Sequence, residues 1–258
     1  MLRANHSVAS DSPAAHETAP EISFIIPTLN EERHIASTVS QFSQLKNLLH
    51  HEVIVADGGS SDKTVEIAAK LGARTCINTA ETRTIASNRN LGASIARGNI
   101  LVFCDADTRI DNVQTFITSV LDAFRDEHLV GAVPRLGVFP EERIWKDNAF
   151  SALLNGCVRI SFLTPVPFAS GQCQIVRRRG FESVQGYNEH QVHGEDSGLF
   201  QKLAKVGRIR LLNDIQIFES PRRYRKLGYI RLIATGLYST VGQLILRRNV
   251  LRTWERID

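Results

Sequence analysis

The sequence predicts an α/β fold: a mostly parallel central sheet flanked by helices, followed by a helical C-terminal tail. Three observations carry that expectation. Strand and helix patterns alternate four times within about a hundred residues, as in a parallel sheet with helices on both faces. The strand candidates are continuous apolar runs rather than alternating ones, which marks strands buried on both faces. Small polar or acidic residues follow three of these runs directly, at the strand ends where open α/β sheets bind ligands.

Taken in order, Ile22-Ser23-Phe24-Ile25-Ile26 is a strand that ends at Pro27, and residues 31–47 show helical spacing with Ile35, Val39 and Phe42 on one face. Val53-Ile54-Val55-Ala56 is a second strand. A helix over 62–71 stops at Gly72, since glycine ends helices readily. Residues 73–77 form a third strand, 83–96 a helix ended by Gly98, and Ile100-Leu101-Val102-Phe103-Cys104 a fourth strand, with 116–124 in the next helix. Beyond Gly131 the pattern loosens. It predicts a helix near 142–160, a Pro-rich stretch over 164–167, a strand near 172–176, a helix near 196–206 and helices in the tail.

The chain has 258 residues, 43% of them hydrophobic, enough for one large domain with a sizeable core. We divide it into a disordered N-terminal tail (1–20), the α/β domain (21–220) and a basic helical tail (221–258). The first twenty residues lack the apolar core of a signal peptide. Cys76, Cys104, Cys157 and Cys173 include no CxxC pair, which argues for reduced thiols and a cytoplasmic setting rather than a disulfide frame or zinc site. Net charge is +4, but the nine Lys and Arg against two acids from Arg222 onward give the tail +7 and leave −3 for the rest. Such a tail suits phosphates or peripheral contact with the inner face of an anionic membrane; nucleic acid is not expected. Residues 229–246 are too short and too interrupted by polar groups to span a bilayer. They read as a helix packed on the domain, with an amphipathic surface helix as the alternative.

Three loops carry the polar chemistry. In Pro27-Thr28-Leu29-Asn30-Glu31-Glu32, Thr28 and Glu31 fit a capping box, which is favoured over a phosphate held at the helix start. In Asp57-Gly58-Gly59-Ser60-Ser61-Asp62-Lys63-Thr64, the helix that follows excludes a hairpin. The GxGxxG pattern is absent, and Asp62 stands where a P-loop needs glycine before Lys63-Thr64. Asp57 at a strand end could bind the base or ribose of a nucleotide. The third loop, Asp105-Ala106-Asp107, places two carboxylates one residue apart. They repel unless a cation compensates them, and a hard Mg²⁺ or Mn²⁺ shared with substrate phosphates would do so. Alone this pair reads as a turn; three such loops on one sheet edge do not.

These motifs, Ile26-Pro27-Thr28-Leu29-Asn30-Glu31-Glu32, Asp57 through Thr64 and Asp105-Ala106-Asp107, resemble in order and spacing the family 2 glycosyltransferases, which have the GT-A fold. The resemblance covers roughly residues 22–223. It implies transfer of a sugar from a nucleotide-diphosphate-sugar donor to an acceptor hydroxyl of unknown identity, with inversion. By resemblance Pro27, Thr28 and Glu31 contact the nucleoside, Asp57 the base, and Asp105 the ribose or diphosphate, while Asp107, with Asp105, binds the metal. Arg83 and Asn90 lie in a segment similar to the donor-contacting helix. Ala169-Ser170-Gly171-Gln172-Cys173 resembles the turn beside the acceptor pocket. The segment from Arg178 to Glu189 resembles the following helix and turn, with Gln185 where glycine is more usual. Gly194-Glu195-Asp196 resembles the acidic pair that supplies the base, and uridine or guanosine donors are the family's usual range.

Within that pair the helical pattern chooses Asp196. It shares spacing with Leu199, Phe200 and Leu203, so it is expected on the inward face, where partial burial would raise its pKa towards that of a useful base. Glu195 is expected to compensate the helix dipole and support Asp196. Arg222 and Arg223 suit a clamp on the donor diphosphate. His190 and His193 receive no role. A sugar-phosphate nucleotidyltransferase would need a Gly-rich basic loop after the first strand, which is missing. The two acidic sets argue against a non-catalytic sugar-nucleotide-binding protein.

Overall fold

The structure is a computed structural model that describes residues 20–45, 49–81, 83–191 and 194–229. The N-terminal tail, His193 and the chain beyond Tyr229 therefore lie outside the described residues. The elements run β1 (Ile22–Thr28), α1 (Ile35–Ser40) continuing into a 3-10 turn (Gln41–Leu45), β2 (His51–Asp57), α2 (Thr64–Lys70), β3 (Arg74–Ile77), α3 (Ile85–Ile95), β4 (Ile100–Cys104) and β5 (Arg109–Ile110). Then follow α4 (Val113–Ala123), β6 (Leu129–Val138), α5 (Trp145–Ser161), β7 (Cys173–Arg177), α6 (Arg178–Ser183), α7 (Glu195–Leu203), β8 (Arg208–Glu219) and α8 (Arg222–Leu227).

One sheet holds eight strands in the order β3-β2-β1-β4-β7-β6-β8-β5. The first four strands pair in parallel, as does β6 with β8, while β7 lies antiparallel between β4 and β6 and β5 antiparallel on β8. The strands expected from apolar runs are all present. The alternation of β1 shows why a continuous run was needed. Ile22, Phe24 and Ile26 point into one core with α1 and α4, where Phe24 stacks on Phe42 at 3.9 Å, and Ile25 points into the other with α3 and α7.

Two long strands, β6 and β8, lay outside the expected pattern. Gly131, Pro134 and Gly137 punctuate β6, and its register with β8 shifts between Pro134 and Arg135, the place where a strand tolerates a residue without an N–H. The first helix also differs from expectation. It starts at Ile35, and Thr28 belongs to β1. No capping box forms: Thr28 Oγ1 donates to Asp57 Oδ1 at 2.8 Å, and the Glu31 N–H donates to Thr64 Oγ1 at 2.7 Å. Asn30, at φ +53°, turns the chain before a helix can begin, and the neighbouring loop supplies the partners that a capping box would have supplied. The described start of the basic tail, 221–229, packs on α5. Arg225 Nη2 and the Tyr229 hydroxyl each donate to Asp147 at 2.6 Å, and Tyr224 and Tyr229 pack on Phe150.

Candidate active site

The C-terminal ends of β1, β2 and β4 bring the three loops to one edge. The first two are laced together. Asp57 is buried at the end of β2, and its carboxylate accepts from Thr28 Oγ1, Ser60 Oγ and the N–H groups of Gly59 and Ser60. Four bonds use the acceptor sites that a carboxylate offers. Across the loops, the Asn30 N–H donates to Ser60 Oγ, and Asn30 Oδ1 accepts from the Ser61 N–H at 2.8 Å. Pro27 and Thr28 are likewise buried in β1. Residues expected against a nucleoside thus shape the loop from beneath, leaving its exposed rim, Leu29, Asn30, Gly59 and Ser61, to face outward.

Arg83 lies over this rim, donating from Nη1 to the Gly58 carbonyl at 3.1 Å and from Nε to that of Ala80 at 3.2 Å. Asn90 sits one turn along α3 and faces another way. Its amide donates to the Tyr187 carbonyl at 3.0 Å and to Glu189 Oε1 at 2.8 Å, and its Oδ1 accepts from the Tyr187 N–H at 2.9 Å. Both ends of the Asn90 amide hold the 186–189 turn, so it pins that turn to α3.

Between them on the same helix stands Arg89, for which the sequence suggested no role. It is 1% exposed. Nη2 donates to Asp105 Oδ1 and to the Gly171 carbonyl, both at 2.9 Å, and Nη1 donates to Glu195 Oε1 at 3.2 Å. Its guanidinium lies 5.3 Å from the centre of the Tyr187 ring. Burial alone would lower its pKa, but Asp105, Tyr187, Glu195 and Asp196 outweigh that and hold it protonated. α3 can approach this closely because Gly92 packs against Ile25 of β1, where a Cβ would collide. The signal available in the sequence was an arginine sharing a helix face with Ala86 and Ala93, at i−3 and i+4.

Arg89 thereby draws the third loop and the acidic pair together. Asp105 is raised by burial against the pull of Arg89. Glu195 is the buried member of the acidic pair, and Asp196 is half-buried, which corrects the expectation drawn from helical spacing. Glu195, Leu199 and Leu203 also share a stripe at i, i+4 and i+8, and the buried Arg89 packs against that stripe at the start of α7. Burial first, and then the neighbouring Asp196, push Glu195 up to about 8, with Arg89 opposing both. Asp196 Oδ1 accepts from the Ser197 N–H at 2.8 Å, and its Oδ2 lies 2.7 Å from where a Cβ on Gly171 would stand. Its carboxylate thus lies against the turn at Gly171, which Ser197 Oγ also holds through Ala169.

The donor set for a metal is Asp107 with Asp105. Asp107 is half-buried, and among the described residues its carboxylate has no hydrogen-bond or ion-pair partner. Arg89 engages Oδ1 of Asp105 and leaves Oδ2. No group of three or more His, Cys, Asp or Glu fit to hold a metal occurs among the described residues. Two carboxylates suit a hard divalent ion whose remaining ligands are phosphate oxygens and water. Arg222, on α8, stands 3.5 Å by Nη2 from His34 Nε2 at the start of α1. Arg223 is on the same helix, and His190 is exposed. No helix among the described residues is long and apolar enough to cross a membrane.

Residues 23–185 match the model of the family described as Glycosyl transferase family 2. The chain is 35% identical over 122 residues to 4,4'-diaponeurosporenoate glycosyltransferase of Staphylococcus haemolyticus, covering 43% of this chain and 31% of that protein. It is 28% identical over 207 residues to the succinoglycan biosynthesis protein ExoA of Rhizobium meliloti, covering 77% and 62%. It thus spans less than two thirds of the length of these relatives. Among solved structures it is similar to the mannosyltransferase PcManGT from Pyrobaculum calidifontis in complex with GDP-Man and Mn²⁺ (TM-score 0.62, 18% identity, 86% of this chain and 65% of that one). It is also similar to glucosyl-3-phosphoglycerate synthase from Mycobacterium tuberculosis in complex with Mn²⁺, UDP-glucose and phosphoglyceric acid (TM-score 0.62, 20% identity, 86% and 80%). At these identities the likeness shows a shared fold, GT-A.

Proposed function

The chain belongs to glycosyl transferase family 2, and on that premise we propose that it moves a sugar from a nucleotide-diphosphate donor to an acceptor hydroxyl by direct displacement with inversion. The observation that carries this reading is the Arg89 bridge. It joins Asp105, at the loop suited to a metal and a diphosphate, to Glu195, beside the carboxylate suited to a base, within one guanidinium's reach.

Asp196 is the base. It is the more accessible of the acidic pair and lies against the Gly171 turn, where an acceptor hydroxyl can meet it. It takes the hydroxyl proton as the oxygen attacks the anomeric carbon, and the bond from that carbon to the diphosphate oxygen breaks on the opposite face. Glu195 and Arg89 fix the start of α7 and so the position of Asp196. Asp107 and Asp105 would hold Mg²⁺ or Mn²⁺, which when bound offsets negative charge on the leaving diphosphate. The rim of the first two loops with Arg83 would receive the nucleoside, and Arg222 and Arg223 would lie towards the phosphates. Free Cys76, Cys104, Cys157 and Cys173 favour a reducing, cytoplasmic setting.

The test is a transfer assay with UDP- and GDP-sugars, with and without Mn²⁺, on the chain and on Asp196→Asn. Loss of a general base lowers the rate by about 10²–10⁴-fold. Near-normal transfer by Asp196→Asn would overturn the assignment.

A further inference from the structure

The chain on either side of Asp107 is held from α1 and the 3-10 turn that continues it. Thr38 Oγ1 donates to the Ala106 carbonyl, and Gln41 Nε2 donates to the Thr108 carbonyl at 3.2 Å. Gln41 Oε1 accepts from the Ile110 N–H at 3.0 Å, so both ends of its amide serve the same loop. Thr108 fastens the loop further. Its N–H donates to the Asp105 carbonyl at 3.1 Å, and its Oγ1 to that of Gln172 at 3.3 Å.

Thr38 and Gln41 are three residues apart and share a helix face. The helix behind them is anchored, since Ile35, Val39 and Phe42 lie in the core and Phe42 stacks on Phe24 of β1. Thr38 is itself 2% exposed. A threonine inside a helix ordinarily turns its hydroxyl back to the i−4 carbonyl. Here that carbonyl, of His34, is 3.3 Å from Oγ1, and the Ala106 carbonyl is nearer. The need of buried carbonyls for donors accounts for either loop bond singly. Together the two bonds bracket a carboxylate that has no hydrogen-bond or ion-pair partner among the described residues. They do so where Asp105 and Asp107 repel each other in the absence of a cation.

We propose that Thr38 and Gln41 are positioning residues for the metal: by pinning Ala106 and Thr108 to α1, they hold the Asp107 carboxylate in place before an ion arrives. This rests on the reading of Asp107 and Asp105 as the metal's donor set. The hydroxyl and the amide touch neither metal nor substrate and act through the loop. A ligand group already held in place loses less freedom on binding, and groups that orient metal ligands typically contribute about 10–100-fold in affinity.

The experiment measures Mn²⁺ binding to the full chain, without nucleotide or acceptor, from the electron paramagnetic resonance signal of the free ion. Thr38→Val removes the hydroxyl and should raise the Mn²⁺ dissociation constant by about tenfold or more. Thr38→Ser restores the hydroxyl and should return the constant to the wild-type value. Gln41→Met, at a half-buried position, carries the same expectation as Thr38→Val and replaces it should that variant fail to fold. Ser37→Ala removes an exposed hydroxyl that bonds the His34 carbonyl on the same helix and should change nothing. Wild-type affinity in Thr38→Val or Gln41→Met overturns the proposal and leaves Asp107 as a ligand. So does an affinity in Thr38→Ser as weak as in Thr38→Val. A wild-type chain that binds no Mn²⁺, or binds it equally well as Asp107→Asn, overturns the reading of the metal loop and the proposal with it.

Discussion

Arg89 Nη2 stands 2.9 Å from Asp105 Oδ1 with the arginine side chain 1% exposed. A pair this deep is held by geometry, and removing one member leaves a charge with no partner in a poorly solvated place. Arg89→Met is therefore expected to lower unfolding free energy by about 3–5 kcal/mol and to reduce transfer. Arg89→Lys keeps the charge but cannot reach Asp105, Glu195 and the Gly171 carbonyl together, so it should fall between. Urea unfolding and transfer rates of both variants check this, and a stability loss below about 1 kcal/mol for Arg89→Met would remove the bridge from the account.

Asp107 gives the converse case. With no protein partner among the described residues, it contributes little to folding but half of the carboxylate set for a metal. Asp107→Asn should leave the melting temperature unchanged. It should raise the Mn²⁺ concentration needed for half-maximal transfer by about tenfold or more. A metal titration of both proteins decides it.

Glu195 makes stability depend on pH. Its folded pKa, about 8, lies above the ordinary glutamate value of 4.5, so between those values the folded state holds a proton that the unfolded state has lost. Stability from this group is full below the lower value and declines as pH rises through the window to 8. Without added metal, the melting temperature should fall between pH 5 and pH 8, taken as about the span of that window, and Glu195→Gln should flatten the fall. A wild-type curve equally flat would show that Glu195 is ionised throughout.

Gln185 occupies a backbone position made for glycine. Its φ is +59°, followed by Gly186 at +62°, and the Gly186 N–H closes the end of α6 on the Phe181 carbonyl at 3.0 Å. The left-handed conformation costs an L-residue roughly 1–2 kcal/mol, partly offset by the entropy that glycine loses on folding. Gln185→Gly should therefore stabilise the protein by about 0.5–1 kcal/mol. A shifted urea midpoint with an unchanged slope measures it.

Much of the fold was legible because β1, β2 and β4 are buried on both faces, and a strand with two dry faces must be apolar throughout. β6 and β8 were not legible in that way. β6 bends around Pro134, and β8 mixes Arg208, Arg210, Asn213 and Asp214 with its buried residues, so neither presents an unbroken run. The acidic loops could be read for the same reason as the strands that deliver them. The roles of Asp57 and Asn90 could not, because whether a polar side chain faces a ligand or its own loop depends on donors from other segments.

By itself the sequence determined the first four strands, the three loops that share one sheet edge, and the two acidic sets. Tertiary structure decided how those sets are joined. Arg89 lies 16 residues from Asp105 and 106 from Glu195 along the chain, and helical spacing alone could not choose which of Glu195 and Asp196 would be buried. Burial depends on what packs against a helix, and the force between charges depends on distance in space rather than in sequence. Those distances exist only once α3, β4 and α7 have come together.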